Sequence, residues 1–171
     1  MVRDVRASDA PAIRSLFARM SPLSIRHRYF VAKRELVPSD LAWLGRLDDG
    51  RTEAAVAVVS NDDGQERLIG IGRYALIEPH LAEVAFEVGD ADQGHGIGTL
   101  LLDQLVDIAR AHAITVLRAE VENDNRQMLD VLAHSGLVIK KTVCGTICRV
   151  DLTVADTGED QRACAATSPR A

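Results

Sequence analysis

The chain has 171 residues, 47% of them apolar and 26% charged, and a formal net charge of −5. That is the balance of a single globular domain with a substantial core, and it excludes a disordered or fibrous chain. No apolar run approaches the roughly 20 residues that span a bilayer, no stretch interleaves Lys and Arg with aromatics as a nucleic-acid surface does, and the opening MVRDVRASDA has no apolar leader, so the expectation is a cytoplasmic protein without nucleic-acid or membrane partners.

In chain order, VRDVR reads as a short strand. Ser8 or Asp9 then caps a helix with Pro11 in its first turn and Ile13, Leu16, Phe17 and Met20 on one face. SPLSIRHRYF and PSDLAWLGRL are two further short helices, each opened by Ser and Pro, the first packed by Ile25, Tyr29 and Phe30. EAAVAVVS, RLIGIGRYALI and LAEVAFEV are strands of an antiparallel meander, with turns at Asn61 to Gly64 and near Pro79. DADQGHGIGTLLLDQL is a glycine loop running into a helix with Ile97, Leu101, Leu105 and Ile108 on one face. TVLRAEV is a strand, ENDNRQM opens a helix, and LVIKKTV with TICRVDL forms a closing hairpin. Residues 155–171 are small and polar and read as a disordered tail after a domain of residues 1–154. Cys144, Cys148 and Cys164 are odd in number, with no histidine at zinc-site spacing, and read as free thiols.

Gly94, Gly96 and Gly98 occupy alternate positions just before a helix N-terminus. Bare backbone there admits a ligand close to unsatisfied N–H groups that carry about half a positive charge, which is an arrangement for phosphate. A P-loop needs lysine where the chain has His95, and a dinucleotide fingerprint needs Gly-x-Gly-x-x-Gly where the chain has Gly-x-Gly-x-Gly. Alternation along LAEVAFEV also places Glu83, Ala85 and Glu87 on one face of the strand that enters this loop, so two carboxylates flank it.

Gln93-Gly94-His95-Gly96-Ile97-Gly98 resembles the Gln/Arg-x-x-Gly-x-Gly/Ala pyrophosphate loop of the GNAT acetyltransferase superfamily, and the order of elements from about residue 2 to 152 is similar to a GNAT domain. MSPLSIRHRYF, AEVAFEV and EVENDNRQMLDVLAHSGL most resemble the catalytic domains of bacterial protein lysine acetyltransferases. The resemblance implies an α/β fold with a mixed, mostly antiparallel sheet, a splayed central strand pair and flanking helices. It implies acetyl-CoA as acetyl donor, an amine acceptor, preferably a protein lysine, and no metal. A small-molecule amine, or a non-catalytic acyl-CoA sensor, is the alternative.

Residue by residue, the resemblance maps the general base to Glu83, with Glu87 the other carboxylate on that face. Pantetheine would be held by the backbone of Phe86 and Val88, with Gly89 easing a bulge. Pyrophosphate would meet Gln93, Gly94, His95, Gly96, Gly98 and Thr99. Asn125 corresponds to the family asparagine that binds pantetheine or the departing thiol, and it also suits a helix N-cap. Seven residues later, where many GNAT enzymes carry an acidic tyrosine, this chain has Leu132. His134 and Tyr74 are weak substitutes for it, and His27 and Tyr29 are candidates to line the acceptor groove.

Overall fold

Residues 53 to 88 alternate in polarity and turn at glycine and proline, and they form three long strands, β2 (Thr52–Ser60), β3 (Glu66–Glu78) and β4 (Leu81–Val88). The structure is a computed structural model and describes residues 1–47, 50–60 and 64–154. Most of the predicted turn at Asn61, the predicted tail at 155–171 and Cys164 lie outside the described residues. β1 (Val2–Asp4), α1 (Ala10–Ala18) and α2 (Pro22–Tyr29) precede the meander; α3 (Ile97–Ala111), β5 (Val116–Glu122), α4 (Arg126–Ala133), β6 (Val138–Cys144) and β7 (Ile147–Thr153) follow it. PSDLAWLGRL folds as a 3-10 segment, Pro38–Arg46. Leu41 and Leu44 are three residues apart and both buried, so a three-residue turn points them the same way.

One seven-stranded sheet carries the order β1-β2-β3-β4-β5-β7-β6. Its pairs are antiparallel except β4 with β5. Those two are joined through α3, the crossover that parallel neighbours require. The closing hairpin enters by its second strand, β7, which pairs with β5 and leaves β6 at the edge. Lys140 and Lys141 on that edge oppose pairing with another chain.

Helices cover both faces, each over its own core. Leu101, Leu102, Leu105, Val106 and Ala109 of α3 are buried against β2, β3 and β4, in one core with the apolar residues of β5 and Leu132 of α4. At 1.5–3 kcal/mol for each large side chain, this seam is a main source of stability. It is close because β3 is bare beneath it: a Cβ on Gly70 or Gly72 would come within 3.0 Å of Ile97 or Leu105. On the opposite face Ile13, Leu16, Phe17 and Met20 of the α1 segment pack with Ile25, Leu41, Trp43 and Leu44 on β2 and β3. Phe30 does not join them. It ends α2 at φ 59, 42% exposed, because the left-handed turn swings it off the packed side of the helix.

Candidate active site

The parallel contact between β4 and β5 is short. Leu81 pairs with Val116, Ala82 with Leu117 and Glu83 with Arg118, and there the pairing stops. Past that vertex the strands part, leaving Val84 to Val88 with one backbone edge unpaired and opening a groove of about 670 Å³. Phe86 and Val88 line it, as do Ala119 to Val121 from the far strand and Asn125 to Met128 from the start of α4. Gly89, where a bulge was expected, instead continues the β3 ladder, donating its N–H to Ile69 O at 2.9 Å. Its glycine is needed for space: a Cβ would approach Asp92 Oδ2 to 3.0 Å and Leu16 to 3.3 Å.

The floor of the groove is the glycine loop at the N-terminus of α3. Gly94 and Gly96 have φ of +75° and +76°, and a Cβ on either would meet no protein atom within 4 Å. Only glycine adopts that backbone without strain while leaving its N–H side open. Gly98 differs: its φ is ordinary, and a Cβ would lie 3.3 Å from Val131 Cγ2, so it lets α3 approach α4. Gly94, Gly96, Ile97 and Gly98 line the groove, whereas His95 and Thr99 fall outside its lining. His95 is exposed, its Nδ1 3.2 Å from Asp92 O. Gln93 is turned inward, its amide donating to Val88 O at 3.1 Å and Ser24 Oγ at 3.3 Å. The loop is pinned further by Asp90, which accepts from Ser21 N–H, Ser21 Oγ and Ser24 Oγ, and by Asp92, which accepts from both Arg67 amino groups. Burial opposes ionisation of Asp90, but these bonds hold its carboxyl below the usual range.

The two carboxylates on the shared face of β4 have different surroundings. Glu83 is exposed at the vertex, lines the groove and makes no hydrogen bond among the described residues. Glu87 is 7% exposed, and its Oε1 accepts from Arg28 Nε at 3.1 Å and Tyr29 Oη at 3.0 Å. Burial, then the Glu87 charge, pushes the Tyr29 hydroxyl well above the usual tyrosine range, so it remains a donor. The Tyr29 ring stands edge-on to Phe17 at 5.8 Å. Tyr29 therefore joins core to carboxylate and lines an adjoining cavity rather than this groove, which His27 and Phe30 do line. Neither the Arg28–Tyr29–Glu87 cluster nor the Asp90 anchor was anticipated. A signal existed for both, acidic residues facing the polar stretch SPLSIRHRY, but spacing along one strand does not reveal a partner more than 50 residues away.

Residues 17–137 match the acetyltransferase (GNAT) family. The chain belongs to that family. As a member it is an acetyl-CoA-dependent acetyltransferase. It is 31% identical over 139 residues to Acetyltransferase PA5475 of Pseudomonas aeruginosa, covering 81% of this chain and 74% of the relative. It is 36% identical over 107 residues to Acetyltransferase Pat of Mycolicibacterium smegmatis, covering 62% of this chain and only 30% of that longer protein. Among solved structures, the GNAT domain of S. lividans PAT superposes with a TM-score of 0.78 at 27% identity, over 89% of each chain. yncA of Salmonella typhimurium, solved with its cofactor acetyl-CoA, shares the fold with a TM-score of 0.70 at 19% identity, over 100% of this chain and 98% of that one.

Across the groove of this acetyltransferase, Asn125 caps α4 by accepting from Met128 N–H at 3.2 Å, so the structural use is realised at the groove wall. Arg26 and His27 of α2 reach to the far side: Arg26 donates to Glu122 at 3.1 Å and Asp124 at 2.5 Å, and His27 Nε2 lies 3.2 Å from Asp124. His27, Glu122 and Asp124 are near enough together to share a cation, but the Arg26 guanidinium already bonds both carboxylates. Neither of the candidate substitutes for the leaving-thiol acid, His134 or Tyr74, lines the groove. Leu132 and Tyr74 are fully buried, Tyr74 with its hydroxyl 3.0 Å from His112 Nδ1, and the Nδ1 of exposed His134 is 2.8 Å from Asp130 O. No helix among the described residues is long and apolar enough to cross a membrane. Cys144 is exposed and Cys148 buried, both as free thiols.

Proposed function

We propose that the protein moves the acetyl group of acetyl-CoA to a protein lysine by direct attack in a ternary complex, with Glu83 as general base. The observation that carries this reading is the position of Glu83. Its carboxylate stands at the vertex where β4 leaves β5, unbonded and open to the groove. A lysine of pKa about 10.4 is neutral in only about one molecule in 2,500 at pH 7, a handicap of roughly 4.6 kcal/mol. Glu83, directly or through a water, takes the ammonium proton, and the neutral amine attacks the thioester carbon. The unpaired edge of β4 from Val84 to Val88 supplies backbone N–H groups for pantetheine and for the developing oxyanion. The loop N–H groups of Gly94, Gly96 and Gly98 and the positive end of α3 take the pyrophosphate. The carbon–sulfur bond then breaks, the nitrogen gives up its remaining extra proton to solvent to form the amide, and CoA leaves as a thiolate. With a thiol pKa near 8.5 it is a tolerable leaving group near neutrality, and solvent protonates it without a dedicated side chain.

Glu83→Gln preserves shape and hydrogen bonding but not proton acceptance. Its kcat is expected to fall by about 10²- to 10⁴-fold with CoA affinity nearly unchanged. Raising the pH toward the lysine pKa should restore the mutant rate, because the acceptor then arrives neutral, while the native rate levels off earlier. A Glu83→Gln protein that turns over normally at pH 7 would overturn the general-base assignment.

A further inference from the structure

A second cavity, of about 310 Å³, opens on the face of β4 that carries Glu83 and Glu87, beneath α2 and the 3-10 segment. It shares Arg28, Ala85 and Glu87 with the groove, so the two spaces adjoin at the strand that bears the proposed base. Three arginines line it, Arg28, Arg46 and Arg73, against two carboxylates, Asp40 and Glu87. Asp40 is already paired with Lys33 at 2.9 Å. Glu87 gives one oxygen to Arg28 and Tyr29, and its other oxygen is buried and accepts no hydrogen bond among the described residues.

Arg73 is the unexplained member. It sits in the middle of β3 opposite Ala85, in a strand otherwise apolar or glycine at its centre. Its guanidinium lies 5.1 Å over the Trp43 ring, and it makes no hydrogen bond or ion pair among the described residues. Burial, helped by Arg28, depresses its pKa, while Glu87, Tyr29 and Glu83 act in the other direction. Arginine nevertheless remains charged in proteins. A planar cation stacked on an aromatic ring, withdrawn from water and lacking an anion, presents a fork that matches a carboxylate. Glu87 lines the same cavity, and its charge disfavours a doubly charged phosphate more strongly than a singly charged carboxylate.

We propose that this cavity is a carboxylate subsite for the acetyl acceptor: Arg73, backed by Trp43, binds a carboxylate on the same molecule whose amine is presented to Glu83. The inference rests on the acetyl-transfer reading above and narrows its acceptor to amines that carry a nearby carboxylate. That group is either an acidic side chain close to the target lysine of a protein or the carboxylate of a small amino acid.

Matched acceptor pairs test it. One arm compares lysine peptides that differ only in Glu against Gln beside the lysine; the other compares free lysine with lysinamide. Thiol release is followed with acetyl-CoA, and binding of each acceptor is titrated in the presence of CoA. In one arm the acid should be favoured at least tenfold in kcat/KM, mainly through KM, and the arm that shows it identifies the source of the carboxylate. Arg73→Gln should erase that preference and Arg73→Lys retain part of it. Acid-selective binding should survive Glu83→Gln, which removes only the base. Turnover with equal acid and amide rates in both arms overturns the subsite and leaves acetyl transfer standing, as does a preference that persists in Arg73→Gln. Acid-selective binding without turnover supports the subsite and overturns the acetyl-transfer reading built on Glu83. Absence of binding and turnover in both arms overturns the subsite. Should Arg73→Gln fail to fold, the native comparison and Arg73→Lys decide the same question.

Discussion

Gly96 shows how one atom decides whether the groove has a floor. At φ +76° a side chain there is strained by about 1–3 kcal/mol, and it would project into space that no protein atom occupies within 4 Å. Gly96→Val is therefore expected to lower CoA affinity by more than tenfold with some loss of stability; titration calorimetry on a variant shown to be folded by circular dichroism checks it, and unchanged affinity would count against a pyrophosphate site on this loop. The alternation of Gly94, Gly96 and Gly98 was legible as a loop-to-helix signal, but their separate reasons were not. Gly98 answers to Val131, a residue of another helix, and no local pattern contains that distance. Glu83 and Glu87 teach the same point. Strand alternation put both on one face, and only the arrival of Arg28 and Tyr29 made one a buried ion-pair partner and left the other open.

Helix α2 has little apolar surface to hold it, with Ile25 its one buried side chain, so polar contacts do the fastening at both ends and the middle. Ser21 and Ser24 grip Asp90, Arg28 and Tyr29 grip Glu87, and Arg26 and His27 reach Glu122 and Asp124. Glu87→Gln weakens the contact at the C-terminal end of the helix by neutralising the partner of a mostly buried arginine, at a cost of about 1.5–3 kcal/mol. For a domain of this size that is roughly 4–10 °C in Tm, measurable by calorimetry. Any loss of acetyl transfer in Glu87→Gln should persist at high pH, in contrast to Glu83→Gln. A pH-rescued defect in Glu87→Gln would exchange the two roles. The helix itself was legible, since Ser21 and Pro22 start it as capping chemistry requires. Its packing was read less well, because Phe30 looked like a core residue until the left-handed turn took it away from the core.

Across the whole molecule the sheet is completed by its last strand. Leu152 and Val154 are fully buried, Val154 N–H donates to Thr115 O at 2.9 Å, and Arg110 donates to Val154 O at 2.8 Å. A chain ending at Val154 is expected to keep its Tm and its acetyl transfer, because the small, polar residues 155–171 offer little to pack. A chain ending at Asp151 should lose several kcal/mol from two emptied core positions, by urea denaturation. A clear loss on removing only 155–171 would show that this segment contributes to the domain. What the sequence determined by itself was local: the elements, the meander, the glycine loop at a helix start and two carboxylates on one strand face, each set by periodicity, capping or turn chemistry within a few residues. The residue at which β4 leaves β5, the insertion of β7 between β5 and β6, the fastening of Glu87 and the cavity over Arg73 were decided only in the tertiary structure. Each depends on which distant segments meet, and that choice is made by burying two cores on one sheet rather than by any neighbour along the chain.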